Sequence, residues 1–119
     1  MINIKTRPLE FIGSAKKDLL NFPKALRTRI GHELHLVQTG ETPKETKTLK
    51  GFPGVMELVE RYDKDTYRAV YVANLGGMVY VLHCFKKKSK RGIKTPKEDM
   101  GIIRQRLKKA KELSKEKRQ

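Results

Sequence analysis

Apolar and polar residues alternate most regularly in the middle of the chain, between Leu49 and Lys88. Three β-rich runs follow one another there: Val55–Arg61, Thr66–Ala73 and Met78–Phe85. Successive side chains of a strand point to opposite faces. In the first run Val55, Glu57, Val59 and Arg61 therefore share one face, and Met56, Leu58 and Glu60 the other. In the second, Tyr67, Ala69 and Tyr71 alternate with Arg68, Val70 and Val72. In the third, Val79, Val81, His83 and Phe85 alternate with Tyr80, Leu82 and Cys84. Both faces of the last two runs are largely apolar, which predicts central strands covered on both sides. Gly76-Gly77 supplies the positive φ that a tight hairpin needs. The stretch reads as an antiparallel meander followed by lysines.

The flanks carry a different period. Met1–Lys5 and Leu9–Ile12 are short apolar pieces around Arg7-Pro8 and predict a first strand or a broken pair. Ser14 is placed to cap a short helix over Ala15–Asn21, with Leu19 and Leu20 facing the core. Phe22-Pro23 interrupts it. From Lys24 to Thr39 the positions Leu26, Ile30, Leu34 and Val37 recur at helical spacing, and Gly40 stops the helix. The two helices form a hairpin. Residues 41–48 are polar, contain Pro43, and predict a loop. Thr95-Pro96-Lys97-Glu98 has the form of a capping box with proline at the first helical position. A last helix from about Pro96 to Lys115 follows, with Ile103, Leu107 and Ala110 as a narrow apolar stripe. The fold class expected is α+β: a small antiparallel sheet, an N-terminal helical hairpin and a C-terminal helix. The 119 residues suffice for a single domain with no internal repeat, its end fraying from about residue 114.

Charge adds the next constraint. The chain holds 28 Lys and Arg against 13 Asp and Glu, a net +15. Residues 86–119 alone hold fifteen basic and four acidic residues. Such a balance suits a polyanionic partner such as nucleic acid, a ribosome surface or an acidic protein. The single cysteine, Cys84, excludes a disulfide framework and lies in an apolar run as a small core residue. No apolar run has the length of a membrane span, and no signal-peptide core opens the chain, so a cytoplasmic location is expected.

Several side chains in the meander could carry chemistry. Arg68 stands mid-strand among Val70 and Val72. It requires either a carboxylate partner, Glu57 being the nearest candidate, or a phosphate for its forked guanidinium. His83 has a pKa suited to proton transfer, although a histidine near a strand end is more often a hydrogen-bonded core residue. Of Lys86, Lys87 and Lys88, at least one must face any groove on the Arg68 side. RNA cleavage by attack of the ribose 2′-hydroxyl needs a base, cations for the pentavalent phosphate and an acid for the leaving oxygen. Glu57, Arg68, Lys87 and His83 could fill those roles without a cofactor or a metal. Lys50, Arg61, Lys86, Lys88, Lys90 and Arg91 are the candidate RNA-phosphate contacts.

The order of these pieces resembles the RelE/ParE toxin superfamily, in particular its HigB-like, phage-derived branch. The resemblance rests on Phe22-Pro23, Gln38-Thr39-Gly40 before a proline, Leu49-Lys50-Gly51, Glu57-Leu58, Tyr67-Arg68-Ala69-Val70-Tyr71, the run Tyr80–Ser89 and Thr95-Pro96-Lys97. It spans roughly residues 8–112. It implies a toxin of a type II toxin–antitoxin pair: an endoribonuclease that cuts translated mRNA on the ribosome and stops translation. It also implies a cognate antitoxin, often of helix-turn-helix type, whose complex with the toxin is a candidate binder of operator DNA. Arg68 falls where the superfamily places a phosphate-binding strand arginine, and Lys87 near the cation after the last strand. Glu57 and His83 fall where some branches place acid–base residues. Two other functions remain open at this point: a ParE-like inhibitor of DNA gyrase without nuclease activity, and a non-catalytic basic RNA-binding module.

Overall fold

A computed structural model describes residues 6–88 and 95–117. The elements are β1 (Leu9–Phe11), α1 (Ala15–Leu20), α2 (Lys24–Gln38), β2 (Thr46–Thr48), β3 (Val55–Tyr62), β4 (Asp65–Leu75), β5 (Met78–Lys88) and α3 (Lys97–Lys117). The strands form one sheet in the order β1-β5-β4-β3-β2. Strands β2 to β5 pair antiparallel, and β1 lies parallel to β5 with Leu9 opposite Val79. The architecture is the expected α+β arrangement of a mostly antiparallel sheet with three helices.

Both faces of the sheet are covered, as the two-sided apolar runs require. On one face, Ala15, Leu19, Leu26, Ile30, Leu34 and Val37 of α1 and α2 pack on Leu58, Ala69, Tyr71, Val79 and Val81. On the other, Ile103 and Ala110 of α3 pack on Val55, Val70, Val72, Tyr80 and Leu82. Burial of these side chains is the main favourable term, at about 25 cal/mol per Å² of apolar surface.

Four local expectations are corrected. Residues 46–48, expected within a loop, form the edge strand β2, with Lys47 opposite Glu57. Three polar residues at a sheet edge carry no apolar alternation to reveal a strand. Leu20, expected in the core, is 55% exposed, because a six-residue helix can turn only Ala15 and Leu19 fully inward. The Ser14 hydroxyl makes no backbone cap; it donates to the Asp18 carboxylate at 2.8 Å.

The fourth correction matters most for the site. Val70 pairs with His83 but Tyr71 pairs with Val81, so Leu82 is an extra residue, a β-bulge. It reverses the alternation along β5. Cys84 joins Val79 and Val81 on the helical-hairpin side, while Phe85 packs with Tyr80 and Leu82 on the α3 side.

The two hairpins turn differently. Gly76 and Gly77 adopt φ of 63° and 86°, as expected. The β3–β4 turn instead places Asp63 and Lys64 at φ of 47° and 70°, where a side chain is disfavoured.

Candidate active site

Glu57 and Arg68 are brought together by register. Glu57 on β3 lies opposite Val70, and Arg68 on β4 lies opposite Val59, so the two are diagonal neighbours on the α3 face. Arg68 Nη1 donates to Glu57 Oε1 at 2.9 Å, and each side chain is only 4% exposed. The second Glu57 oxygen accepts a long hydrogen bond from the Thr95 hydroxyl, just before α3, at 3.4 Å. The Arg68 Nε is buried without a hydrogen-bond partner. A pair of charges taken out of water is stable only when well hydrogen-bonded, so a leftover guanidinium donor is a costly feature.

The pair lies at a cleft of about 480 Å³, lined by Lys47, Thr48, Leu49, Lys50, Glu57, Arg68, Thr95 and Met100. Strand β2 delivers Lys47 to it, and the turn that follows delivers Lys50. A neighbouring groove of about 400 Å³ shares Lys47 and Arg68 and adds Lys44, Arg61 and Thr66. Together they make a largely cationic path across the end of the sheet, with Glu57 beside Arg68 in the cleft and Glu45 and Glu60 in the wall of the neighbouring groove.

Lys87 faces this centre from β5, opposite Thr66. Partial desolvation lowers its pKa, Arg68 lowers it further, and Glu57 acts the other way. Lys86 turns to the opposite side and reaches Asp65 at 3.4 Å. Lys88 ends β5 opposite Asp65. Lys90 and Arg91 lie outside the described residues.

His83 is placed elsewhere. It does not line the cleft. Its Nε2 sits 2.7 Å from Asp99 Oδ1 in the first turn of α3, and its ring stacks on Phe85 with centroids 4.7 Å apart. On its other nitrogen, Nδ1, it meets Arg106 Nη1 at 3.4 Å. Arg106 also donates to the Leu82 carbonyl at 3.0 Å and to the Ser14 hydroxyl at 2.9 Å. The bulge at Leu82 thus turns His83 into a joint between β5, α3 and the start of α1.

Five cleft residues lie outside the set that the sequence singles out: Lys47, Thr48, Leu49, Thr95 and Met100. The first two belong to β2, whose only strand signal is the β-branched pair Thr46 and Thr48. Thr95 was noted for a cap, not for its reach to Glu57. A different acidic group sits on the hairpin side of the sheet, where Glu33, Glu45 and Glu60 bring carboxylate oxygens within 4.8 Å of one another. Among the described residues no helix is long and apolar enough to cross a membrane.

Comparison with known proteins agrees with the fold. The structure of a double arginine-to-alanine mutant of the E. coli toxin RelE in the free state is similar, with a TM-score of 0.59 at 19% identity. That likeness covers 87% of this chain and 97% of the RelE chain. The resemblance to the RelE superfamily is therefore met in the fold. No curated protein sequence matches the chain. The model of the phage-derived Gp49-like proteins matches residues 17–108, most of the chain. On that match, the chain belongs to the phage-derived Gp49-like protein family.

Proposed function

We propose that this protein is the toxin of a type II toxin–antitoxin pair and acts as an endoribonuclease on ribosome-bound mRNA. The observation that carries the reading is Arg68: a strand arginine, braced by Glu57, in the wall of a cleft that Lys47 and Lys50 also line. A guanidinium in such a wall suits a phosphate diester, because its fixed positive charge and remaining N–H donors favour a phosphate oxygen. The RelE-like fold and the Gp49-like family membership support the same reading.

The reading assigns the following chemistry. The 2′-oxygen of the ribose attacks the adjacent phosphorus, its proton leaves, and the bond to the 5′-oxygen of the next nucleotide breaks. The products are a 2′,3′-cyclic phosphate and a 5′-hydroxyl. Arg68 stabilises the extra negative charge on the non-bridging oxygens. Lys47 and Lys50 hold the flanking phosphates, and Arg61 extends the path. Lys87, its pKa lowered beside Arg68, supplies the proton to the leaving 5′-oxygen. Glu57 fixes the guanidinium and, in this reading, accepts the 2′-proton. His83 works at one remove: with Asp99 and Arg106 it holds the first turns of α3, and hence Thr95, over the cleft. The partners of this reading are a cognate antitoxin, the ribosome and mRNA, within the cytoplasm.

A reconstituted translation reaction tests it. Wild-type protein should cut a translated message and leave the same message intact without ribosomes. Arg68→Lys keeps the charge but loses the fork, and should cut at least about 10²-fold more slowly, the scale of losing one transition-state donor. Equal cutting by Arg68→Lys would refute the assignment.

A further inference from the structure

The carboxylate group on the hairpin side is not used by the proposed chemistry. Glu33 projects from the middle of α2 toward the sheet and is 5% exposed; Glu60 projects from β3 and is 6% exposed. Glu45 lies just before β2, is exposed, and its carbonyl is tied to Val59 N at 3.2 Å. One oxygen from each of the three lies within 4.8 Å of the others. Arg29 reaches only Glu60 Oε1, at 3.0 Å. Both oxygens of Glu33 and the second oxygen of Glu60 are buried without a partner.

Three buried carboxyl oxygens without a donor in one spot need a proton or a cation between them. A single shared proton satisfies two of them, its bearer and its acceptor, and leaves one. A divalent cation can take all three, with Glu45 as a further ligand and water on the exposed side. Hard cations bind oxygens at about 2.0–2.6 Å, so ligands around one ion lie up to about 5 Å apart. The observed spacing fits.

We propose that Glu33, Glu45 and Glu60 form a binding site for a hard divalent cation of the calcium or manganese kind. The ion is structural. It fastens the approach to β2 onto α2 and β3, and thereby steadies the strand that carries Lys47.

The test is calorimetric and thermal titration of the full-length, chelator-treated protein with Ca²⁺ and with Mn²⁺ at pH 8. About one equivalent of at least one of these ions should bind. At a hundredfold excess over the dissociation constant, the melting temperature should rise by about 10 °C. Glu33→Gln and Glu45→Gln should each abolish the rise. Glu45 is exposed, so its variant keeps the fold even if that of Glu33 does not. Glu10→Gln, which removes only the surface pair with Lys117, should retain it. Failure of both ions to bind at millimolar concentration overturns the proposal, as does binding that survives in Glu45→Gln. Neither result bears on RNA cleavage, which is read separately.

Discussion

Under the proposed function Arg68 serves two demands at once, the ion pair with Glu57 and the hold on RNA phosphate, and they can be separated by substitution. Arg68→Ala leaves the Glu57 carboxylate buried and unpaired, a loss of about 3–5 kcal/mol by analogy with broken buried pairs. Replacing both members with apolar residues of similar volume, as in Arg68→Met with Glu57→Leu, should recover most of that stability in urea unfolding and still cut no RNA. If the double variant is as unstable as the single one, the pair is holding the fold in a way the geometry does not explain. Cys84 offers a second residue-scale test. Burial pushes its thiol up to about 12, from about 9 in an unfolded chain. The folded state therefore keeps the proton, and its advantage is present below pH 9 and lost as pH rises from about 9 toward 12. At pH 8, alkylation by iodoacetamide should be at least about 10²-fold slower in the native protein than in denaturant. Rapid labelling of the native protein would show that β5 opens.

At the scale of elements, the long patterns were legible and the short ones were not. Leu26, Ile30, Leu34 and Val37 marked α2, and the alternations marked β3, β4 and most of β5. Strand β2 was invisible because Thr46, Lys47 and Thr48 bury almost nothing. The bulge was invisible because an unbroken apolar run, Val79 to Leu82, fits either phase. That single inserted residue decided where His83 went, so the strand arginine and its carboxylate were readable in sequence and the histidine's place was not. Two predictions belong here. His83→Gln or Asp99→Asn should loosen the first turns of α3, seen as faster amide exchange from about residue 97 to 103. Cleavage should fall less than with Arg68→Lys; an equal or larger fall would return His83 to the chemistry itself. Lys64→Gly should stabilise the protein by about 1 kcal/mol in urea unfolding, since glycine relieves the positive φ and makes an Asp-Gly hairpin turn. No gain would mean that the Lys64 side chain contributes at that turn.

For the whole molecule, the question is how a net +15 is used. The cleft and its neighbouring groove gather Lys44, Lys47, Lys50, Arg61 and Arg68 at one end of the sheet. A single-stranded RNA lying there should bind with a salt slope of about −0.7 per phosphate neutralised. Lys47→Ala and Lys50→Ala should each flatten that slope by about 0.7 without lowering the melting temperature. A flattened slope from Lys86→Ala instead, on the opposite side, would move the RNA path. The most direct test of the central claim is to map the ends of cellular mRNA after induction of the wild-type protein and of Arg68→Lys. The proposed function predicts cuts confined to translated regions and phased to codons, and their loss in Arg68→Lys at equal protein level. Growth arrest with intact mRNA, or the same cuts with Arg68→Lys, would contradict it.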